Sequence, residues 1–387
     1  MVDQIVSGKS AAYRDTSEAL HRGDPSWVRR AAHYRMLAEC GLEQLIRDDF
    51  YGLFEFSAAV TGVLLDAGCG AGRDTVELAR RAPGLAIHGV DVSSVALGYA
   101  AANAAAPRVR YHLTALERLP FADAVFDYIS SHEVIEHVED PALVALELAR
   151  VLKPGGVCVV ATPNGASLWI EHLRQRVMRA CGRRGAPIGA DHTRTARYWR
   201  RVFGAAGLVV ERQIYDGAAL EFLLFVAPAG WMPLLARVCE PLRAVRLVRL
   251  LVCDRVKFRL RKAGAAIHDG ATVKPCCPVC RAPLDETTDA ASCTAGHRFA
   301  RSAAGIVDFT ALAPAATAEP PAPAIPGSPA SDPAPPLRRR SGRRRVRHAL
   351  LLGFGVVYGA LLLLLAPLAL VAGAVDQPFD RPASPRK

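Results

Sequence analysis

Three groups of residues in this 387-residue chain combine types and spacings suited to chemistry. The first is Asp66-Ala67-Gly68-Cys69-Gly70-Ala71-Gly72, which follows the apolar run Val63-Leu64-Leu65 and precedes a helical pattern from Arg73 to Arg81. A buried strand, a tight glycine turn and a helix in that order make a cradle for a nucleoside-like ligand, because glycine lets the ligand approach the backbone and tolerates positive φ. Asp91 ends a second apolar strand over residues 85–90. An acid at the neighbouring strand's tip, followed by Val92, is suited to accept hydrogen bonds from two ribose hydroxyls. A dinucleotide site has a similar build, but here the glycine after Gly70 comes two residues later rather than three.

The second group is Glu133, Glu136 and His137 within Ser131-His132-Glu133-Val134-Ile135-Glu136-His137. If this run is helical, the spacing puts all three side chains on one face, where they can bind a divalent cation such as Mg2+. Acids that merely stabilise a helix start are the alternative, and His137 alone as a general base is a third reading. The third group is Cys277 and Cys280, two residues short of adjacent, with Cys293 and His297 after a hairpin-length gap. Four such ligands satisfy tetrahedral zinc with no open position, so this zinc is structural; Cys276 is a spare, and unbound cysteines in a loop are the alternative.

The elements that must position these groups alternate. Strands are expected near Val63, Ile87, Val109, Phe126 and Val157, with helices over residues 96–105 and 143–152 between them. That alternation predicts an α/β, Rossmann-like, doubly wound and mostly parallel sheet with right-handed crossovers. A helix over 198–207 then leads into a strand over 208–214. Residues 220–262 mix apolar runs with Arg237, Arg243, Arg246, Arg249, Arg255, Lys257, Arg259 and Arg261, the pattern of a basic amphipathic insertion at a membrane interface or of a lid; the final strand is expected in 265–274. Residues 1–59 read as an N-terminal helical cap.

Taken together, D-A-G-C-G-A-G-R from Asp66, the strand-end Asp91, L-P-F-A-D-A-V-F-D from Leu119 to Asp127, and L-K-P-G-G from Leu152 resemble a class I S-adenosylmethionine-dependent methyltransferase over about residues 45–207. The resemblance implies that Asp66, Gly68, Cys69, Gly70 and Gly72 lie beside the methionine part of S-adenosylmethionine, with Asp91 on its ribose. Many relatives carry an Asp for the adenine amino group where this chain has Ala115, so adenine recognition falls to backbone groups near Ala115 and Leu116. The E-x-x-E-H run is similar to that of ubiquinone-biosynthesis O-methyltransferases, in which the segment is associated with a metal that helps a phenolic hydroxyl lose its proton. Thr162-Pro163-Asn164 and Asp191-His192-Thr193-Arg194 line the acceptor side on this reading, with His192 as a second candidate base. The segment from Cys277 to Phe309 resembles small zinc domains attached to or partnering with methyltransferases; it follows the catalytic domain, whereas in ribosomal RNA guanine methyltransferases it precedes it.

The remainder of the chain concerns location. Net charge is +11, much of it from Arg338, Arg339, Arg340, Arg343, Arg344, Arg345 and Arg347, so the surplus is a weak argument for a nucleic-acid-binding core. No cleavable N-terminal signal is visible, and the ten cysteines are scattered singles plus one tight cluster, the usage of a reducing compartment. The expected domains are the methyltransferase domain at 60–274, a zinc module at 275–310, a Pro/Ala-rich linker at 311–337, a basic block at 338–348, a transmembrane helix at 349–375 and a short tail at 376–387. The basic flank keeps the catalytic domain cytoplasmic. The leading expectation is a membrane-anchored enzyme that O-methylates a small or lipid-linked substrate, with nucleic acid disfavoured as partner and protein partners unspecified. The rivals are RNA or protein methylation using the zinc module, and a non-catalytic membrane scaffold.

Overall fold

The computed structural model describes residues 48–104, 106–168, 172, 176, 193–216, 253, 255–265 and 273–313. Most of the N-terminal cap and of the linker, residues 217–252, His192, the basic block and the apolar stretch 349–375 lie outside the described residues. Among the described residues no helix is long and apolar enough to cross a membrane.

Strands β1 (Gly62–Ala67), β2 (Leu85–Asp91), β3 (Val109–Leu113), β4 (Phe126–His132) and β5 (Leu152–Pro163) alternate with helices α1 (Arg73–Arg81), α2 (Ser94–Asn103) and α3 (Pro141–Val151). Helix α4 (Ala196–Ala205), β6 (Leu208–Asp216) and β7 (Arg255–Lys262) follow. The sheet order is β3-β2-β1-β4-β5-β7-β6, parallel through β5 and antiparallel at β7. The order reverses between β1 and β4, so the crevice above their carboxyl ends is the natural ligand position.

Both faces of the sheet are covered, which is why the central strands read as unbroken apolar runs. One face packs Leu65, Ile129, Val160, Leu148, Trp199 and Phe258. The other packs Leu64, Ile87 and Val159 beneath Leu78 of α1 and against Phe50 and Phe54. At the amino end of β4, buried Lys153 pairs with buried Asp127 at 3.2 Å, and Asp127 also accepts the Val63 N–H at 2.9 Å.

Two sequence expectations are corrected here. Among the described residues the last strand of this sheet is Arg255–Lys262, most of 265–274 lying outside them, and the basic residues at its end of the expected insertion belong to a strand rather than a helix. Alternation decides it: Val256, Phe258 and Leu260 are fully buried in the main core, while Lys257 pairs with buried Asp216 and Arg259 with Glu211 on the other face. Residues 133–140, in turn, form bends and turns instead of a helix. Helix α3 starts only at Pro141, because Asp140 caps it by accepting the N–H groups of Ala142 and Leu143.

A second, three-stranded antiparallel sheet follows, made of β8 (Leu284–Glu286), β9 (Ala290–Cys293) and β10 (Arg298–Ala300). Its small core contains Cys277, Ala291, Phe299, Val307 and Phe309.

Candidate functional site

The glycine turn after β1 is held by the N–H groups of Gly68 and Cys69, which both donate to the Val90 carbonyl at 2.8 and 2.9 Å. Gly68 and Gly72 have φ of +83° and +81°. A Cβ at Gly68 would stand 2.4 Å from a Val134 methyl, so glycine is required there twice over. The loop's crest is fixed to β2: Asp91 Oδ2 accepts the Gly70 N–H and Oδ1 accepts the Ser93 N–H, each at 2.9 Å. These bonds fix the orientation of the carboxylate at the strand tip.

Gly68, Asp91, Val92, Ala115, Leu116 and His137 all line one cleft at the strand tips, together with Glu117 and Val138. Five cofactor residues expected from sequence therefore meet in one place. Cys69 does not face the cleft; its side chain is buried against Leu97, Leu113 and Ile306, and burial followed by the Asp91 charge pushes its thiol well above the usual range. Asp66 lies buried under the loop, where the Thr75 hydroxyl donates to its Oδ2 at 2.6 Å. Burial, and next the charge of Asp74, push the Asp66 carboxyl up to about 7.

The acidic run is rearranged by the missing helix. Glu133 sits in a left-handed conformation, φ +59°, and pairs with Arg255 at 3.6 Å. Glu136 is buried and accepts the Thr162 hydroxyl at 3.0 Å, with its other oxygen 4.0 Å from His137 Nε2. Burial and the Glu133 charge raise the Glu136 carboxyl well above its ordinary value. The three side chains are neighbours, but their ligand atoms do not converge. Among the described residues the one group of three or more that does so is elsewhere. The donor set does not fit Mg2+.

The converging group is Cys277, Cys280, Cys293 and His297, whose ligand atoms all lie within 4.8 Å of one another. Zinc with Zn–S of about 2.3 Å and Zn–N of about 2.05 Å needs tetrahedral edges of about 3.8 Å between sulfurs and about 3.6 Å from sulfur to nitrogen. The observed edges are 3.6 Å for Cys280–Cys293, and 3.6 and 3.4 Å from His297 Nδ1 to Cys277 and Cys293. The residues fit a closed zinc site. Cys276 takes no part in that group; its N–H donates to Pro120.

Sequence reasoning missed how this module docks. The Leu113 N–H donates to Val307, and the Phe309 N–H donates to Leu113 at 2.8 Å, so a single parallel bridge ties the module to the edge strand β3. Farther along the chain, Arg281 donates to the Leu119 carbonyl at 2.6 Å and lies 3.3 Å from Glu147. The segment from Leu113 to Pro120, which carries Ala115 and Leu116, is therefore gripped at both ends. Also missed was His132 at the tip of β4, 3.0 Å from Asp74; the two are 58 residues apart in sequence, and no local pattern joins them.

A separate cavity of about 160 Å³ opens at the amino ends of β4 and β5, lined by Asp127, Tyr128, Lys153, Gly155, Arg259 and Arg261. Its charges are already paired with one another and with Glu211, so it lacks the chemistry of the strand-tip cleft.

Residues 65–160 match the family described as a methyltransferase domain. A probable S-adenosylmethionine-dependent methyltransferase of Mycolicibacterium smegmatis is 34% identical over 167 residues, covering 41% of this chain and 58% of that protein. A ubiquinone biosynthesis O-methyltransferase of Paracidovorax citrulli is 36% identical over 105 residues, covering 26% of this chain and 43% of that protein. The chain thus spans about half the length of these curated relatives. Among solved structures, the complex between the Haloferax volcanii Trm112 methyltransferase activator and a putative methyltransferase is 20% identical, with 62% of this chain and 97% of that chain covered and a TM-score of 0.43.

Proposed function

We propose that the protein is an S-adenosylmethionine-dependent methyltransferase that acts on the hydroxyl of a small or lipophilic acceptor. The observation that carries the reading is Asp91, held by the Gly70 and Ser93 N–H groups at the edge of the cleft formed with Gly68, Val92, Ala115 and Leu116. When bound, S-adenosylmethionine supplies an activated methyl group on a sulfonium. The chain's own task is to bind, align and exclude water: Asp91 takes the ribose, backbone groups at Ala115 and Leu116 take the adenine, and the glycine loop over Asp66 takes the methionine end. The O-methyltransferases among the relatives support oxygen as the acceptor atom. Zinc on Cys277, Cys280, Cys293 and His297 is structural, and the apolar stretch 349–375 anchors the enzyme to a membrane, with its catalytic domain on the cytoplasmic side.

The acceptor class is tested by incubating the purified protein with methyl-labelled cofactor and a cell extract divided into lipid, RNA and protein fractions. Label is expected in the organic phase, on an ether oxygen. Label confined to nuclease-sensitive material would overturn the choice of acceptor.

A pH dependence follows from Asp66. A cationic methionine end binds the ionised carboxylate in preference, so cofactor binding releases a proton from a group titrating at about 7. Affinity is expected to rise with pH up to that value and to level off above it. Calorimetry in buffers of different ionisation enthalpy measures the released proton directly, and Asp66→Asn should remove it.

A further inference from the structure

Strand β4 lies on the other side of β1 from β2, and its tip carries an arrangement that cofactor binding does not use. His132 Nδ1 is 3.0 Å from one oxygen of Asp74, and the other oxygen of Asp74 accepts the Tyr51 hydroxyl proton at 2.6 Å. Phe50 stacks on the imidazole with ring centroids 4.4 Å apart and planes 14° apart. Asp74 is in the first turn of α1, where the helix dipole favours the carboxylate. An ionised Asp74 holds the proton on Nδ1 and leaves the Nε2 lone pair as an acceptor. Nε2 has no partner among the described residues, and the side chain is 9% exposed. Ser130 of β4 pairs with Asp66 of β1 and His132 follows two residues later, so the His132–Asp74 pair stands beside the glycine loop, at the end assigned to the methionine group.

We propose that His132 is the base that takes the hydroxyl proton of a phenol-type acceptor, with Asp74 and Tyr51 as positioning residues. The proposal rests on the methyltransferase reading above. The acceptor's O–H bond breaks and its proton passes to Nε2. The oxygen's electron pair forms the new bond to the methyl carbon, and the carbon–sulfur pair stays with sulfur. One sulfonium charge is lost and one imidazolium charge appears, next to the Asp74 carboxylate that stabilises it. A purely structural tie between residues 48–54 and the sheet would need only the Tyr51–Asp74 bond and the Phe50 contact; it gives no reason for an open Nε2.

The test needs no knowledge of the natural acceptor. Full-length, zinc-loaded protein is saturated with S-adenosylhomocysteine and titrated with 4-nitrocatechol, whose absorption separates phenol from phenolate, at a pH where the free compound is largely protonated. Bound probe should show the phenolate band. In His132→Gln and Asp74→Asn that band should fall by roughly tenfold, one pKa unit, while unchanged affinity of His132→Gln for S-adenosylhomocysteine by calorimetry, and an unchanged melting temperature of Asp74→Asn, certify the fold. Tyr51→Phe should give an intermediate loss. A phenolate band that persists in His132→Gln, or a wild-type protein that binds S-adenosylhomocysteine but leaves the probe protonated or unbound, would overturn the proposal and leave the methyltransferase reading standing. Wild-type protein that fails to bind S-adenosylhomocysteine would remove both.

Discussion

Removing zinc, by chelation or by Cys277→Ser, is expected to weaken S-adenosylmethionine binding by about 5- to 150-fold, the range of typical coupling between sites. Sequence alone suggests otherwise, because a self-contained zinc module could unfold, as in Cys280→Ser, and leave the cofactor pocket intact. Docking changes the expectation. Ala115 and Leu116 sit on a segment that the module holds at Leu113 through Val307 and Phe309, and at Leu119 and Pro120 through Arg281 and Cys276. Ile306 also packs against Cys69 of the glycine loop. Without an acid at position 115, adenine is left to backbone groups, and backbone groups bind only when their positions are fixed. Each hydrogen bond lost contributes about 1 kcal/mol, and zinc on the four converging ligands would be the main source of order in a module with so small an apolar core. Calorimetry on samples with measured zinc content checks this; equal affinity with and without zinc would show that the pocket wall is self-supporting.

Asp91→Ala should have a comparable or larger effect, from a single side chain. The carboxylate is expected to accept charge-assisted bonds from ribose, each worth about 1.5–3 kcal/mol. Its loss also releases the Gly70 and Ser93 N–H groups that shape the loop. Together these correspond to a loss of cofactor affinity of roughly 100-fold or more. Asp91→Asn, which keeps an oxygen for one N–H, should lose less. Thermal melting separates this from unfolding, because Asp91 lies at a strand tip and the core residues on both sides of β2 are untouched by the change.

The legible parts of the molecule were those where one local rule dominates. The glycine loop, Asp91, the alternation of the first five strands and the C-x-x-C pair each declare themselves within a few residues, and the structure brings Gly68, Asp91, Val92, Ala115, Leu116 and His137 to one cleft. Failures came where two periods compete. Glu133, Glu136 and His137 fit a helical face, but Val134 must lie over Gly68 and Asp140 caps a helix that starts later, so the run turns instead. Residues 255–262 carry a clear period of two, yet the basic stretch before them disguised it. The docking of the zinc module and the His132–Asp74 pair arise only from tertiary placement; Leu113 and Val307 are brought together by the fold of two separate sheets, and nothing in either segment names the other.

The central claim is that the strand-tip cleft is an S-adenosylmethionine site, and calorimetric titration of the cofactor into folded, zinc-loaded, full-length protein tests it most directly. The account predicts saturable binding with one site per chain, lost or greatly weakened in Asp91→Ala. Absence of binding by protein that is demonstrably folded and zinc-loaded would contradict it.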